Sequence, residues 1–303
     1  MSKITLVSHT GDFSSFSAGY LHNVLDEYFN CELFDSSKTY NKASTLFVTN
    51  CINQTDAWYL PYYNNGYKVL IDALWEKPPI KTELKNARII SNDNWFWYNE
   101  SIWYEYLKYN DYIPNRSYEK TALLLMRKET PQRTLLVNQL GNLLTDFLYS
   151  YTSRGIFLNN DKIINGDIDQ RHFNPDWYNQ TCFSLVAETY VHGTGFITEK
   201  TFKPIAFNHP FIVFGQTGTL DKLHNLGFET YNNLFDESYD IDVSVNTKID
   251  KLINNINNYN NVPYSKLTLE KIEHNHNLFF NRQLVLTKLT EEILNPILEY
   301  AET

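Results

Sequence analysis

The sequence predicts an α/β chain built as two doubly wound, Rossmann-like parallel-sheet units facing a cleft. Three observations carry that expectation. Short, β-branched apolar runs recur with helix-length gaps between them, a polar, proline-containing break interrupts the series at 110–120, and the same alternation then restarts. The break sets the expected domains at 1–115 and 116–303, and 303 residues suffice for two domains of about 150 residues.

In the first half, ITLVSH (4–9), STLFVT (44–49), KVLIDAL (68–74) and ARIISND (87–93) read as strands, with CELFD (31–35) a further short one. SAGYLHNVLDEYF (17–29) places Tyr20, Val24 and Tyr28 at the spacing of an amphipathic helix. WFWYNESIWYEYLKY (95–109) is helical by length and lines Trp95, Tyr98, Ile102 and Tyr106 along one side, a stripe that is more often core or domain interface than a platform for sugars. In the second half, ALLLMR (122–127) is a strand and Pro131 opens the helix QRTLLVNQLGNLL. CFSLVAETY (182–190), PFIVFG (210–215) and FETY (228–231) continue the sheet, and TLDKLHNLG (219–227) is a short helix closed by Gly227. From 246 onward the chain reads as two helices separated near Val262-Pro263.

Composition narrows the function. The chain is 43% hydrophobic and 16% aromatic, ample for a sizeable core, yet its longest apolar runs are far too short to span a membrane. The N-terminus has no long apolar stretch of the signal-peptide kind. Three scattered cysteines suit neither a disulfide framework nor a zinc site and fit a reducing cytoplasm. A net charge of −9 argues against tight, sequence-blind nucleic-acid binding while leaving room for a local basic cleft.

The chemically informative stretch is FITEKTFKPIAFNHPFIVFG (196–215). Thr198 precedes a helical segment and can cap it by accepting the N–H of Thr201. An open helix N-terminus is a site for anions, and Lys200 in its first turn opposes the dipole unless an anion is bound there. Glu199 suits the dipole and offers two acceptor oxygens to the paired hydroxyls of a ribose. An ordinary capped helix with solvated charges would use the same residues. Upstream, Glu188 near the end of an apolar strand is costly unless paired or used. Gly193 and Gly195 let the loop after it approach a ligand closely. Arg127 and Arg133 flank the end of another strand, and arginine forks suit a diphosphate. Neither the GxGxxG dinucleotide spacing nor a GxxxxGK[ST] phosphate loop is present.

FSLVAETY followed by TEKTFKPIAFNHPFIVFG resembles the donor-binding core of GT-B glycosyltransferases. It is most similar to the α-1,3-fucosyltransferase family and to phage-encoded glycosyltransferase-like proteins that carry TEKT-x-KPI and a later DESYD (236–240). The resemblance covers about 182–240 and extends weakly to 127. It implies a nucleotide-diphosphate sugar as co-substrate, with Glu199 on the ribose, Lys200 at the phosphates, Arg127 or Arg133 on the diphosphate and Glu188 toward the sugar. Thr198 and Lys203, within the same element, complete the implied donor set. AET stands where the family has FEN, so the sugar does not carry over.

The catalytic base does not carry over either. A base is expected from the first half, at the carboxyl end of a strand, which leaves Asp72, Asp93 and Asp12, the first two ranked above the third, with Glu76 a helper. Two D-x-D matches, 167–169 and 240–242, are at chance level among 35 acidic residues, so the expected enzyme is metal-independent and uses no cofactor. His274 and His276 point to different helix faces and make an improbable metal pair. The expected acceptor is a glycan or, for a viral gene, a hydroxymethylated pyrimidine in DNA held by a rim of Lys77, Lys81, Lys85, Arg88 and Arg116. The alternative is a non-catalytic carbohydrate- or nucleotide-binding protein of the same fold.

Overall fold

The computed structural model describes residues 4–8, 29–33, 35–50, 60–72, 87–90, 92–158, 163–164, 167–168, 174–193, 195–260 and 263–302. The chain divides into two compact units: Met1–Tyr106 together with Arg282–Thr303, and Leu107–Asn281. The boundary thus falls before the polar break, and the last residues group with the first unit, where the sequence reading kept them in the second. Long-range polar contacts that no local pattern encodes hold them there, among them Arg282 to Glu105 at 2.5 Å.

In the first unit, β1 (Ile4–Ser8), β2 (Phe29–Leu33), β3 (Thr45–Asn50), β4 (Lys68–Asp72) and β5 (Ala87–Ile90) form a sheet of order β2-β1-β3-β4-β5. Every pairing is parallel. Consecutive residues such as Leu46 and Phe47, or Val69 and Leu70, are both buried, so the sheet is covered on both faces. A short helix, α1 (Leu60–Asn64), precedes β4, and α2 (Trp95–Tyr106) follows β5. The helix expected at 17–29 falls outside the described residues except for Phe29, which opens β2. Trp95, Tyr98 and Ile102 are core residues as expected, whereas Tyr106 is 65% exposed. Every residue of α2 from Trp95 to Ile102 is buried, the polar Asn99, Glu100 and Ser101 included, a surface wider than a stripe.

In the second unit, β6 (Lys120–Met126), β7 (Phe147–Tyr151), β10 (Thr181–Ala187) and β11 (Phe211–Phe214) form a parallel sheet of order β11-β10-β6-β7. A two-residue pair, β8 (Ile163–Ile164) with β9 (Asp167–Ile168), stands apart and is antiparallel. The helices are α3 (Pro131–Leu140), α4 (Asp176–Gln180), α5 (Glu199–Ala206), α6 (Thr219–Asn225), α7 (Val245–Asn257) and α8 (Lys266–Phe279). Every residue of β10 and of β11 is buried, which explains their apolar reading. Helix α3 has Pro131 in its first turn and stops at Gly141, whose φ of +50° suits only a residue without a Cβ. α6 ends beside Gly227 as expected, with the Gly227 N–H on His224 O at 2.9 Å.

Two strand assignments change. β7 went unread because FLYSY has no aliphatic run. Residues 228–231 are not a strand: the Glu229 N–H and carbonyl bond to the Asn275 side chain of α8 at 2.7 and 2.8 Å, in place of a neighbouring strand. The C-terminal region is also more divided than expected. After α7 and α8 come α9 (Arg282–Leu289), a π-helical segment Thr290–Leu294 and α10 (Asn295–Glu302). α10 is tied to the first sheet, with Ala301 O accepting from Lys68 Nζ at 2.7 Å. Among the described residues no helix is long and apolar enough to cross a membrane.

Candidate functional site

The order β11-β10-β6-β7 reverses direction between β6 and β10. Chain leaving β6 goes to β7 on one side, and later chain returns to β10 on the other. In open α/β sheets such a reversal opens a crevice beyond the carboxyl ends of the two strands. Arg127 follows the end of β6 and Glu188 the end of β10. The Glu188 N–H still bonds to Phe214 O at 2.9 Å, so its position is set by sheet register although the strand has ended.

Arg133, on the third residue of α3, bridges these two strand ends. It is wholly buried, donating from Nη1 to Lys128 O at 2.8 Å and from Nη2 to Ala187 O at 2.6 Å. The expected fork toward a diphosphate is therefore spent on main-chain carbonyls, and Arg127, exposed at the strand end, is the arginine left at the surface. Burial lowers the pKa of Arg133, while the charges of Glu188 and Glu199 counter it. Its Nε and the hydroxyl of buried Tyr151 have no hydrogen-bond partner among the described residues.

Glu188 is 1% exposed, and both of its oxygens are engaged. Oε1 accepts from the Thr198 N–H at 3.2 Å and the Thr201 hydroxyl at 3.0 Å, and Oε2 accepts from the Thr198 hydroxyl at 2.6 Å. Lys200 Nζ stands 3.8 Å from Oε2. A buried carboxylate is tolerated only with this degree of pairing. The residue expected to reach toward the sugar instead anchors the start of α5 to the end of β10.

At that start, Thr198 caps α5 as expected, though its hydroxyl accepts from Lys200 N at 3.4 Å, while the Thr201 N–H goes to the Thr198 carbonyl at 3.1 Å. The Lys200 and Thr201 N–H groups are thus used within the chain rather than left open to an anion, where the sequence suggested an open helix terminus. The ionic groups remain. Lys200 Nζ meets Glu199 Oε1 at 2.6 Å, and both side chains are partly exposed. Burial would raise the Glu199 pKa, but the charges of Lys200 and Lys203 outweigh it and hold it at about 2. Burial acts to lower the pKa of Lys200, and Glu199 and Glu188 reverse that to leave it raised. Arg133, Lys200 and Lys203 against Glu188 and Glu199 make three cations and two anions, one net positive charge. Lys200 and Lys203 also line a small, half-open pocket of about 30 Å³ with Leu123, Val186 and Pro204 in its wall.

The loop between β10 and α5 is held from β11. Gln216 accepts the Phe196 N–H at 2.9 Å and donates to His192 O at 2.7 Å. Gly193 lies over this side chain with φ +104°, and an added Cβ would meet Gln216 Nε2 at 3.1 Å. His192 in turn touches Gln132 at the start of α3, 3.2 Å between side-chain nitrogens. Gln216 was not foreseen; a glutamine two residues after a strand, inside Gly-Gln-Thr-Gly, is the signal that marks it.

Other expected residues fall elsewhere. Asp240 accepts the Thr219 and Leu220 N–H groups at 3.2 and 3.0 Å, capping α6, and Asp242 pairs with Lys251 at 2.8 Å. DESYD is thus a structural cap. Asp72 ends β4, and Asp93 is exposed in the turn after β5, both at carboxyl ends of the first sheet. Asp12, Glu76, Lys77, Lys81 and Lys85 lie outside the described residues, as does Asp169. Arg88 is exposed, but Arg116 donates to Asn208 O and lies 5.0 Å over the Tyr264 ring, so it does not belong to a basic rim.

No family model matches the sequence, and no curated protein matches it. Among solved structures, a crystal structure of α1,3-fucosyltransferase is similar over 96% of this chain and 91% of that one, with a TM-score of 0.52 and 10% identity. A crystal structure of α1,3-fucosyltransferase with GDP covers the same shares at TM-score 0.49 and 12% identity. One with GDP-fucose is similar over 92% and 90% at TM-score 0.44 and 12% identity. The first of these likenesses shows the fold: two parallel-sheet α/β units of the GT-B kind, as the sequence predicts.

Proposed function

We propose that this chain is a metal-independent glycosyltransferase that moves a sugar from a nucleoside diphosphate donor to an acceptor hydroxyl. The observation that carries the reading is the buried charge cluster at the β6/β10 reversal, where Glu188 fixes the start of α5 and leaves Glu199, Lys200 and Lys203 on its outer side. Glu199, ionised far below neutral pH, is suited to accept from two ribose hydroxyls. Lys200 and Lys203, with Arg127 at the end of β6, supply the positive charge that a departing diphosphate needs, a role a metal fills in other enzymes. Asp93 or Asp72, on the other unit, takes the acceptor's proton. The acceptor is a glycan or a hydroxymethylated pyrimidine in DNA.

A thermal-shift series with GDP, UDP, CMP and dTDP tests the donor site directly. One nucleotide should raise the melting temperature, since a ligand at a hundredfold its Kd adds about 2.7 kcal/mol. Glu199→Ala should abolish that shift while leaving the unliganded melting point within a few degrees. No shift with any nucleotide would overturn the donor-site assignment. Turnover is then followed with the matching nucleotide sugars against oligosaccharide and hydroxymethylated-DNA acceptors, with and without EDTA. Activity that survives EDTA is expected; loss restored by Mn²⁺ would refute metal independence, and binding without any release of nucleoside diphosphate would mark a non-catalytic binding protein.

A further inference from the structure

Beyond β5 the chain turns tightly through Asn92, Asp93 and Asn94 into α2. The turn is closed by the Asn94 N–H on Asn92 Oδ1 at 2.7 Å and the Trp95 N–H on Asn92 O at 3.4 Å. Its two asparagine side chains and one residue of α2 converge on a single atom, Oε2 of Glu292: Asn92 Nδ2 at 3.0 Å, Asn94 Nδ2 at 3.3 Å and the Tyr98 hydroxyl at 2.8 Å. The second oxygen of Glu292 faces Lys288 at 3.5 Å. Glu292 reaches the turn from the segment Thr290–Leu294, which is wound as a π-helix, a geometry uncommon in helices and frequent at functional sites.

The arrangement exceeds what a helix start requires. The Asn92 side chain already closes the turn through the Asn94 N–H. Bonds to a charged acceptor are stronger than bonds between neutral groups, and here three are given to one oxygen. The asparagines that receive this restraint flank Asp93 on both sides, and Asp93 stands exposed between them.

We propose that Glu292 is the positioning residue of the acceptor half: it clamps the 92–94 turn so that the Asp93 carboxylate is held in one place to receive the acceptor's proton. This rests on the transferase reading above, with Asp93 as its base. Glu292 does not take the proton itself. Burial acts to raise its pKa, but the Asn92, Tyr98 and Asn94 donors override this and leave it lowered, making it a weaker base than an ordinary glutamate.

The test uses the full chain with Glu292→Gln, Asp93→Asn, the double variant, and Tyr98→Phe as a milder cut that removes one of the three donors. Glu292→Gln should lower kcat about tenfold to a hundredfold, with donor KM and nucleoside diphosphate affinity unchanged. Adding it to Asp93→Asn should cost nothing further. Hydrogen exchange at the 92–94 amides should speed up in Glu292→Gln while the β1 and β3 amides keep their protection, with Tyr98→Phe in between. Unchanged exchange in the turn overturns the clamp. Faster exchange with kcat within twofold of wild type, or multiplicative losses in the double variant, overturns the positioning role. A wild-type protein inactive on every donor instead defeats the transferase reading and the base role of Asp93 with it; exchange in the turn then decides the clamp alone.

Discussion

Removing the Glu188 carboxylate would strand the Thr198 N–H and the hydroxyls of Thr198 and Thr201 at once, and would deprive Lys200 and Arg133 of a counter-charge. Breaking a buried pair in this way costs about 3–5 kcal/mol. Glu188→Ala is therefore expected to lower the free energy of chemical denaturation by that amount, whereas Glu199→Ala, at a partly exposed position, should cost clearly less and act on ligand affinity. Equal losses in the two variants would show that Glu188 is not the anchor of α5. Glu199 also makes stability depend on acid. Its pKa falls from 4.5 to about 2 on folding, so its contribution is complete above pH 4.5 and is lost as pH falls through 2. Melting curves of wild type and Glu199→Gln should differ most above pH 4.5 and converge toward pH 2; a gap that persists at pH 2 would contradict the assignment.

At the level of elements, Asn275 does the work of a missing strand. It is 1% exposed, and its amide serves both the N–H and the carbonyl of Glu229. Asn275→Ala should leave two main-chain groups unpaired and cost about 1–3 kcal/mol for each one that stays buried, measured by urea denaturation; a loss below 0.5 kcal/mol would show that water replaces the amide. The same pair shows what a sequence can disclose. β10, β11 and the cap of α5 were legible because their determinants lie within a few residues: unbroken apolar runs, and Thr-Glu-Lys ahead of an amphipathic turn. The segment 228–231 has strand composition, but its partner lies 46 positions away on a helix. Arg133 likewise looks like a surface arginine beside a helix start, and its burial follows from a carbonyl 54 positions distant. Gln216 and Glu292 were missed for the same reason, since a side chain's partner across the fold leaves no periodic trace.

On the scale of the whole molecule, the first unit is discontinuous in sequence and the second is continuous. Deleting 282–303 should therefore injure the first unit alone. It removes Glu292 from Tyr98, Arg282 from Glu105 and the bonds of Ala301 and Tyr300 to the start of β4. Trp95 and Trp97 are buried in α2, so their emission should shift to the red on truncation, while the nucleotide-induced protection of α5 and β10 persists in hydrogen exchange. Loss of that protection would show that the second unit depends on the tail.

The return of α9 and α10 to the first unit also bears on how the protein is born. Domains emerging from a ribosome ordinarily fold in order, N-terminal first. Here residues 107–281 form the second unit without interruption, whereas the first unit must wait, β4 and α2 lacking their C-terminal partners, until the last helices have been translated. The half that is made first is thus the half that matures last, and during that interval its apolar strands are the part of the nascent chain most in need of a chaperone.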